Sequence, residues 1–384
     1  MKIERVEIFG VAVPLVGEFK NAYLSKSVVR SAIVRITATG GAVGLGNVDP
    51  TPGYSQESTE EHLRALREQL APRLIGMDPT NIHAVLARLE PAVAGFLDSK
   101  AALEMACVDL AARAAGMAVH TYLGGALKQR LEFNAWIGIL PPEQAAREAL
   151  EWKRRGFRSA KVKVGGGVAA DCDRVKAVRE AVGADFKLRI DANAGYDAPT
   201  AIALAERLAP YGLELFEQPV PAADLPGLAR VRQAANALGL AVMADESVLD
   251  HASLVRIIRA QAADLVKVKV MKQGGLLNTR RMIATAEAAG LRCVVGHGFG
   301  LGINTMAEIM LAATAANVLD GLECVGPLKT ADDIVTRKLD LGSGSICLPP
   351  GPGLGVALDE AKLAKYRYEP ALAARPSNGA VHGA

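Results

Sequence analysis

The chain has 384 residues, half of them hydrophobic and 22% charged, with a formal net charge of +3. This composition describes a globular protein of two or three domains with a large core. The charge is small for the length and no basic run could track a phosphate backbone, which argues against nucleic acid as a partner.

The first ten residues, MKIERVEIFG, lack the long apolar stretch of a signal peptide. No uninterrupted apolar run reaches the roughly 18 residues of a membrane helix, so no membrane association is expected. Residues 1 to about 125 read as a mixed α+β unit. Two strand-like runs, IERVEIFGVAV and SAIVRITATGGAVGLG, flank the polar segment EFKNAYLSKS. Helical patterns follow in ESTEEHLRALREQLAPRL, NIHAVLARLEPAV and SKAALEMACVDLAARAAG, with Asp98 and Ser99 as candidate caps of the last. The five cysteines (107, 172, 293, 324 and 347) are odd in number and lack CxxC spacing, which fits a reduced cytoplasmic protein.

From about residue 130 the texture becomes strand, helix, strand, repeatedly. The strand runs are FNAWIGI, SAKVKV, KLRIDA, LELFEQ, AVMADE, DLVKVKV, RCVVGH and GLECVG. Segments such as PTAIALAERLAPYG and NTRRMIATAEAAG between them have helical character. Alternation of this kind predicts βαβ units and a parallel sheet, and eight strands predict a closed α/β barrel. The last charged or polar side chain of successive strands falls at Lys163, Asp191, Glu217, Asp245, Lys269, His297 and Glu323. The intervals are 28, 26, 28, 24, 28 and 26 residues. That is about one strand, one helix and two short loops, so each residue is expected at the C-terminal rim, where barrel active sites are built.

Side chains alternate along a strand. Lys161 and Lys163 therefore share one face, and Lys267 and Lys269 repeat the pattern. With FNAWIGI first, the lysine strands are second and sixth, on opposite sides of the barrel mouth. Asp191, Glu217 and Asp245 lie on the three strands between. Three clustered carboxylates repel unless a cation sits among them. An all-oxygen set suits Mg²⁺ first and Mn²⁺ second. Salt bridges with the lysines would also neutralise the carboxylates, but explain neither the spacing nor the order Lys-Asp-Glu-Asp-Lys. A divalent ion acts as a Lewis acid toward a substrate carboxylate. A lysine whose pKa is lowered by burial and neighbouring cations can act as a base. The pattern predicts proton transfer at a carbon next to a carboxylate, with a small-molecule carboxylate as substrate.

The motifs KVKVG, RIDANAGY, LFEQPV, MADES, VKVKVMKQGG and GPGLGVALDE resemble the enolase superfamily in its muconate-lactonizing branch, over nearly the whole chain. The resemblance implies the pattern of that superfamily, a lysine or histidine base with Mg²⁺ stabilising an ene-diolate. The resemblance implies a modified (β/α)7β barrel at 126–330. A capping α+β domain at 1–125 would be completed by 331–370, with 371–384 a frayed tail. It implies Asp191, Glu217 and Asp245 as metal ligands and Lys163 and Lys269 as the acid/base pair. Lys161 becomes an auxiliary cation and Asn193 a hydrogen-bonding support. Glu246 is expected to point away from Asp245 and to support the site from behind the ligands, although in the mandelate-racemase branch a glutamate takes the third ligand place. The cap segments 18–27 and 50–58 are implied to fold over the mouth, bringing Lys20, Tyr23 and Tyr54 toward substrate. A homo-oligomer is implied as well.

His297 departs from that branch, and with Lys269 on the sixth strand no His-Asp dyad is present; the histidine reads as a hydrogen-bonded wall residue or a base. Glu323 could bind a substrate amine, face Lys269 or be a paired carboxylate. Neither GHGFGLG nor the GGG at 165–167 is a phosphate-binding fingerprint, and both are read as giving the rim loops room for a ligand. Three reactions share this machinery: muconate-type cycloisomerisation, toward which the C-terminal motifs lean, racemisation or epimerisation of N-acyl amino acids or dipeptides, and β-elimination. Two other classes remain, a Schiff-base aldolase indifferent to chelator and a barrel that only binds carboxylates.

Overall fold

The computed structural model describes residues 1–20, 25–51 and 55–369. Lys20 is placed by its backbone alone, and Tyr23 and Tyr54 lie outside the described residues. Three antiparallel strands open the chain: β1 (Ile3–Lys20), β2 (Ser25–Ala38) and β3 (Val43–Val48), in the order β1-β2-β3. The run SAIVRITATGGAVGLG, read as one strand, is two, because Gly40 and Gly41 take φ of 88° and 82° and turn the chain back on itself. Within EFKNAYLSKS, Phe19 pairs with Lys26 and Lys20 with Ser25, so the described flanks of this polar segment extend the hairpin.

Helix α1 (Thr59–Ala65) starts at a capping box between Ser58 and Glu61. The helical pattern then passes through a widened turn at Leu66–Leu70 and a tight one at Ala71–Leu74, where Pro72 ends the regular bonding. Helix α2 (Ile82–Leu89) is capped by Asn81. Helix α3 (Leu97–Ala114) is fully buried for most of its length. Asp98 and Ser99 do not cap it. Phe96 stands at that position with φ of 50°, and both polar residues lie inside the first turn. Tertiary bonds claim their side chains: Asp98 Oδ2 accepts the Ser55 hydroxyl at 2.6 Å, and the Ser99 hydroxyl meets His62 Nδ1 at 2.8 Å.

Alanines on α3 let it lie directly on β3. An added Cβ at Gly46 would sit 1.9 Å from the Ala102 carbonyl oxygen, and one at Gly44 would sit 2.1 Å from that of Ala106. Gly46→Ala is therefore expected to lower stability by about 1–3 kcal/mol, the usual cost of overpacking. An unchanged urea midpoint would contradict this packing.

A short strand, β4 (Arg130–Glu132), leads into a seven-stranded parallel sheet. Its strands are β5 (Ala135–Ile137), β6 (Ser159–Lys163), β7 (Lys187–Asp191), β8 (Leu215–Glu217), β9 (Ala241–Ala244), β10 (Leu265–Val268) and β11 (Arg292–Val295), neighbours in that order. Helices α4 (Val119–Tyr122) and α5 (Pro142–Arg154) precede β4 and β6. Helices α6 (Val168–Val182), α7 (Ala198–Leu208), α8 (Leu225–Ala237), α9 (His251–Arg259), α10 (Leu276–Ala288) and α11 (Gly302–Ala312) follow β6 to β11 in turn.

GLECVG closes the barrel without forming a regular ladder. Leu322 bridges Phe133, Val318 bridges Cys293, and Glu323 N–H donates to Val295 O at 2.9 Å. The C-terminal segment returns to β1, where Thr330 bridges Leu15 and Arg367 bridges Val11. Among the described residues no helix is long and apolar enough to cross a membrane. Four cysteines are buried, Cys347 is exposed, and all five are free.

Candidate active site

The polar residues keep step with the strands as expected. Lys163, Asp191 and Glu217 are the last residues of β6, β7 and β8. Asp245 and Lys269 each stand one residue beyond β9 and β10, and His297 two beyond β11. β6 and β10 are separated by three strands, so the two lysine pairs approach the mouth from different sides.

Lys163 Nζ donates to Asp191 Oδ2 at 2.5 Å and to Asn193 Oδ1 at 2.6 Å. Lys269 Nζ meets Asp245 through Oδ1 at 2.7 Å and Oδ2 at 2.8 Å. Lys161 lies among three carboxylates: Asp191 at 3.1 Å, Glu217 at 2.8 Å and Glu323 at 2.5 Å. Although burial works the other way, Glu217, Glu323 and Asp191 hold its ammonium well above the usual lysine range, so Lys161 is a fixed cation. Burial pushes Lys269 the opposite way, below that range, which is the direction a base requires.

Each carboxylate answers to its own balance of burial and charge. Lys269 and Lys272 keep Asp245 well below the carboxylate range against the effect of burial. Lys163 and Lys161 likewise lower Asp191. Burial, reinforced by Asp191, pushes Glu217 up to about 8.

Among the described residues no group of three carboxylates or imidazoles converges closely enough to hold a metal ion. Asp191, Glu217 and Asp245 hold ammonium groups at 2.5–2.8 Å. Their chemistry still fits a hard divalent cation. All three are oxygen donors, about 1% exposed and on adjacent strands, and each already draws a positive charge to itself.

Asn193 and Glu246 join the same rim. Asn193 is held at φ of 44°, its N–H donating to Asp191 Oδ1 at 2.9 Å. Its side-chain amide donates to Glu246 Oε1 at 3.1 Å. Glu246 stands two residues past the end of β9 and reaches the rim through Asn193, as a supporting contact. Burial, with Asp245 and Asp191 nearby, pushes its carboxyl up to about 7.

Glu323 is a paired and nearly buried carboxylate, bonded to Lys161, to Lys267 and, at 3.4 Å, to Arg189. His297 is buried, with Nδ1 accepting from Phe299 N–H at 3.3 Å and lying 3.3 Å from Asp49 Oδ2, and Nε2 against the Asn304 side-chain amide. The GGG loop is occupied on its N–H side by a residue of the chain itself. Its three N–H groups converge on Asp171 Oδ2 at 2.9, 3.0 and 3.1 Å, so the chain supplies its own anion.

Sequence reasoning left several groups out of the site. Lys267 carried the signal, two residues before Lys269 as Lys161 is before Lys163, yet was assigned no role. Lys272, which donates to the Asp245 carbonyl and carboxylate at 2.7 Å, sits on a loop without periodicity. Gln218, at φ of 34°, accepts from Asp245 N–H at 2.9 Å and orients that residue. Arg189 carried the same signal, two residues before Asp191 on β7, whereas Asp49, Lys26 and Lys329 reach the region only through tertiary folding.

Comparison with known proteins matches residues 3–124 to the mandelate racemase/muconate lactonizing enzyme N-terminal domain and residues 144–362 to the enolase C-terminal domain-like family. The chain is 34% identical to muconate cycloisomerase 1 of Rhodococcus opacus, over 94% of this chain and 96% of that protein. It is 31% identical to an N-succinyl-L-Arg/Lys racemase of Bacillus cereus, over 94% and 97%. The crystal structure of that racemase superimposes with a TM-score of 0.91, covering 96% of this chain and 98% of that one. A dipeptide epimerase of Enterococcus faecalis V583, complexed with Mg and L-Leu-L-Tyr, superimposes with a TM-score of 0.89 at 31% identity, over 93% and 100%. The chain is an enzyme of the mandelate racemase/muconate lactonizing enzyme family, within the enolase superfamily.

Proposed function

We propose that the enzyme racemises or epimerises a carbon bonded to a carboxylate, with N-acylated amino acids as the substrate class. The observation that carries this reading is the pair of lysines at the mouth, Lys163 on β6 and Lys269 after β10, each bonded to a carboxylate of the neighbouring strand. One base on each side of a substrate plane removes a proton from one face and returns it to the other. The racemase and epimerase relatives support the reading. Glu323, saturated by three cations, leaves no free acid on the closing segment for a substrate amine. This favours an acylated nitrogen over a free one.

Asp191, Glu217 and Asp245 are the residues that would hold Mg²⁺, or Mn²⁺ in its place. A cation there supplies Lewis-acid stabilisation of charge on the substrate carboxylate. Lys161 adds a permanent positive charge beside Asp191 and Glu217. Asn193 accepts a second hydrogen bond from the Lys163 ammonium beside Asp191. Gln218 and Lys272 fix Asp245 from its backbone.

Cycloisomerisation is the second reading. It is supported by the muconate cycloisomerase relative and by the closing segment GPGLGVALDE, and it needs an acid on one face only.

The test is deuterium uptake at the α-carbon, followed by mass spectrometry in D₂O with Mg²⁺ over a panel of N-acyl amino acids, dipeptides and muconates. Exchange is expected to stop with EDTA and to return with Mg²⁺ or Mn²⁺. Exchange that persists in EDTA overturns the metal assignment.

A further inference from the structure

Neither proton transfer nor the set of candidate metal ligands gives a task to Lys267. It stands on β10 two residues before Lys269, so strand alternation aims it into the same interior, roughly 7 Å below the rim. It is 2% exposed. Its ammonium is bonded to Glu323 and lies 3.9 Å from Glu217 Oε1. Lys161, from β6, reaches the same two carboxylates, Glu217 Oε2 at 2.8 Å and Glu323 Oε2 at 2.5 Å. The four side chains close a ring of alternating charge, Lys161–Glu217–Lys267–Glu323, in which each oxygen of Glu217 faces a different ammonium.

This ring differs from the lysine pairs at the rim. In the proposed reaction Lys163 and Lys269 turn from their carboxylates to the substrate. Lys267 has no such freedom, because Glu323 is itself held by Lys161 and by Arg189, which has no exposed surface. A cation fixed beside Glu217 opposes any second cation on the same carboxylate, and burial leaves that repulsion poorly screened.

We propose that Lys267 is a positioning residue that acts through Glu217: a resident cation that weakens the hold of Asp191, Glu217 and Asp245 on a divalent ion. Glu323 limits this effect by drawing the Lys267 ammonium to itself. The inference rests on the assignment of those three carboxylates as metal ligands. It makes the two ring partners act in opposite directions. Without the Lys267 charge, Glu217 faces Lys161 alone and is freer to accept a metal ion. Without the Glu323 charge, both ammonium groups are left to Glu217, which then accepts one less readily. A ring that only supported the fold would weaken metal binding in both cases.

The experiment measures Mg²⁺ affinity by calorimetry on the full chain without substrate, with near-ultraviolet circular dichroism as the check on folding. Lys267→Met is expected to tighten Mg²⁺ binding about 10- to 100-fold, and Glu323→Gln to weaken it about 10-fold. Lys267→Arg keeps the charge and is expected to stay within about 3-fold of the wild type. Should Lys267→Met not fold alone, the same substitution is read in the Glu323→Gln background. There the buried pair is removed as a whole, a change that cores tolerate better, and tighter binding than in Glu323→Gln is again expected. Mg²⁺ binding that Lys267→Met weakens or leaves unchanged overturns the inference while the metal assignment stands. Binding that Lys267→Arg tightens as much as Lys267→Met also overturns it, since packing and not charge is then responsible. No Mg²⁺ uptake by any of these proteins overturns the metal assignment and the inference together.

Discussion

Lys163→Ala and Lys269→Ala are each expected to abolish racemisation, with losses of about 10²–10⁴-fold, the usual contribution of a positioned acid or base. The informative result is what each variant retains. With one lysine per face, Lys163→Ala still exchanges the α-proton of the enantiomer that faces Lys269, and Lys269→Ala that of the opposite enantiomer. Deuterium wash-in from each pure enantiomer, read by mass spectrometry, separates these outcomes. If both variants lose exchange from the same enantiomer and keep it for the other, the two lysines do not act on opposite faces. The one-faced cycloisomerase reading then takes precedence. The variants should remain folded, because Lys163 and Lys269 lie at strand ends and Lys161 and Lys272 stay beside Asp191 and Asp245.

Arg189→Met carries the largest expected effect on stability, a loss of about 3–5 kcal/mol, as when one partner of a buried ion pair is removed. Arg189 has no exposed surface and ties three elements together. Its guanidinium donates to Glu214 Oε2 at 2.6 Å and to the carbonyls of Asp320 and Gly321 at 2.7 Å each, and it reaches Glu323 at 3.4 Å. The closing segment has only isolated bridges to its neighbours, so these bonds hold what a ladder would otherwise hold. Methionine fills much of the volume but leaves the buried Gly321 carbonyl, the partly buried Asp320 carbonyl and part of two carboxylates without donors. The measurement is the urea midpoint against a control, Lys176→Met, whose ion pair with Glu180 at 3.9 Å is more than half exposed and contributes little. A midpoint for Arg189→Met within about 0.5 kcal/mol of that control would show that the barrel closes without it.

Much of the site was legible before any coordinate, because strand geometry imposes a period that chemistry must obey. A barrel strand can present a reacting group only at its C-terminal end, so the 24–28-residue rhythm of Lys163, Asp191, Glu217, Asp245 and Lys269 marks the rim directly. Alternation likewise put Lys161 with Lys163 and Lys267 with Lys269. That reasoning weakened where the chain stopped being extended. It gave no place to Lys272, on the loop after β10, or to the aspartate of the following helix that takes up the N–H groups of the GGG loop.

Local sequence therefore determined the class of fold, the order of the strands and the residues that reach the rim, since those follow from backbone periodicity. Which charge meets which was decided only by the tertiary structure. Glu323 could have faced a substrate amine or Lys269, but barrel curvature brings it to Lys161, Lys267 and Arg189 instead. Asp98 and Ser99 had the chemistry of caps, yet packing against residues 55 and 62 claimed both side chains. Lys26 and Lys329 stand 303 positions apart in the chain and become neighbours only because the segment after the barrel returns across β1. Coulombic and hydrogen-bond partners depend on distance in space, and a one-dimensional pattern carries that distance only within a single regular element.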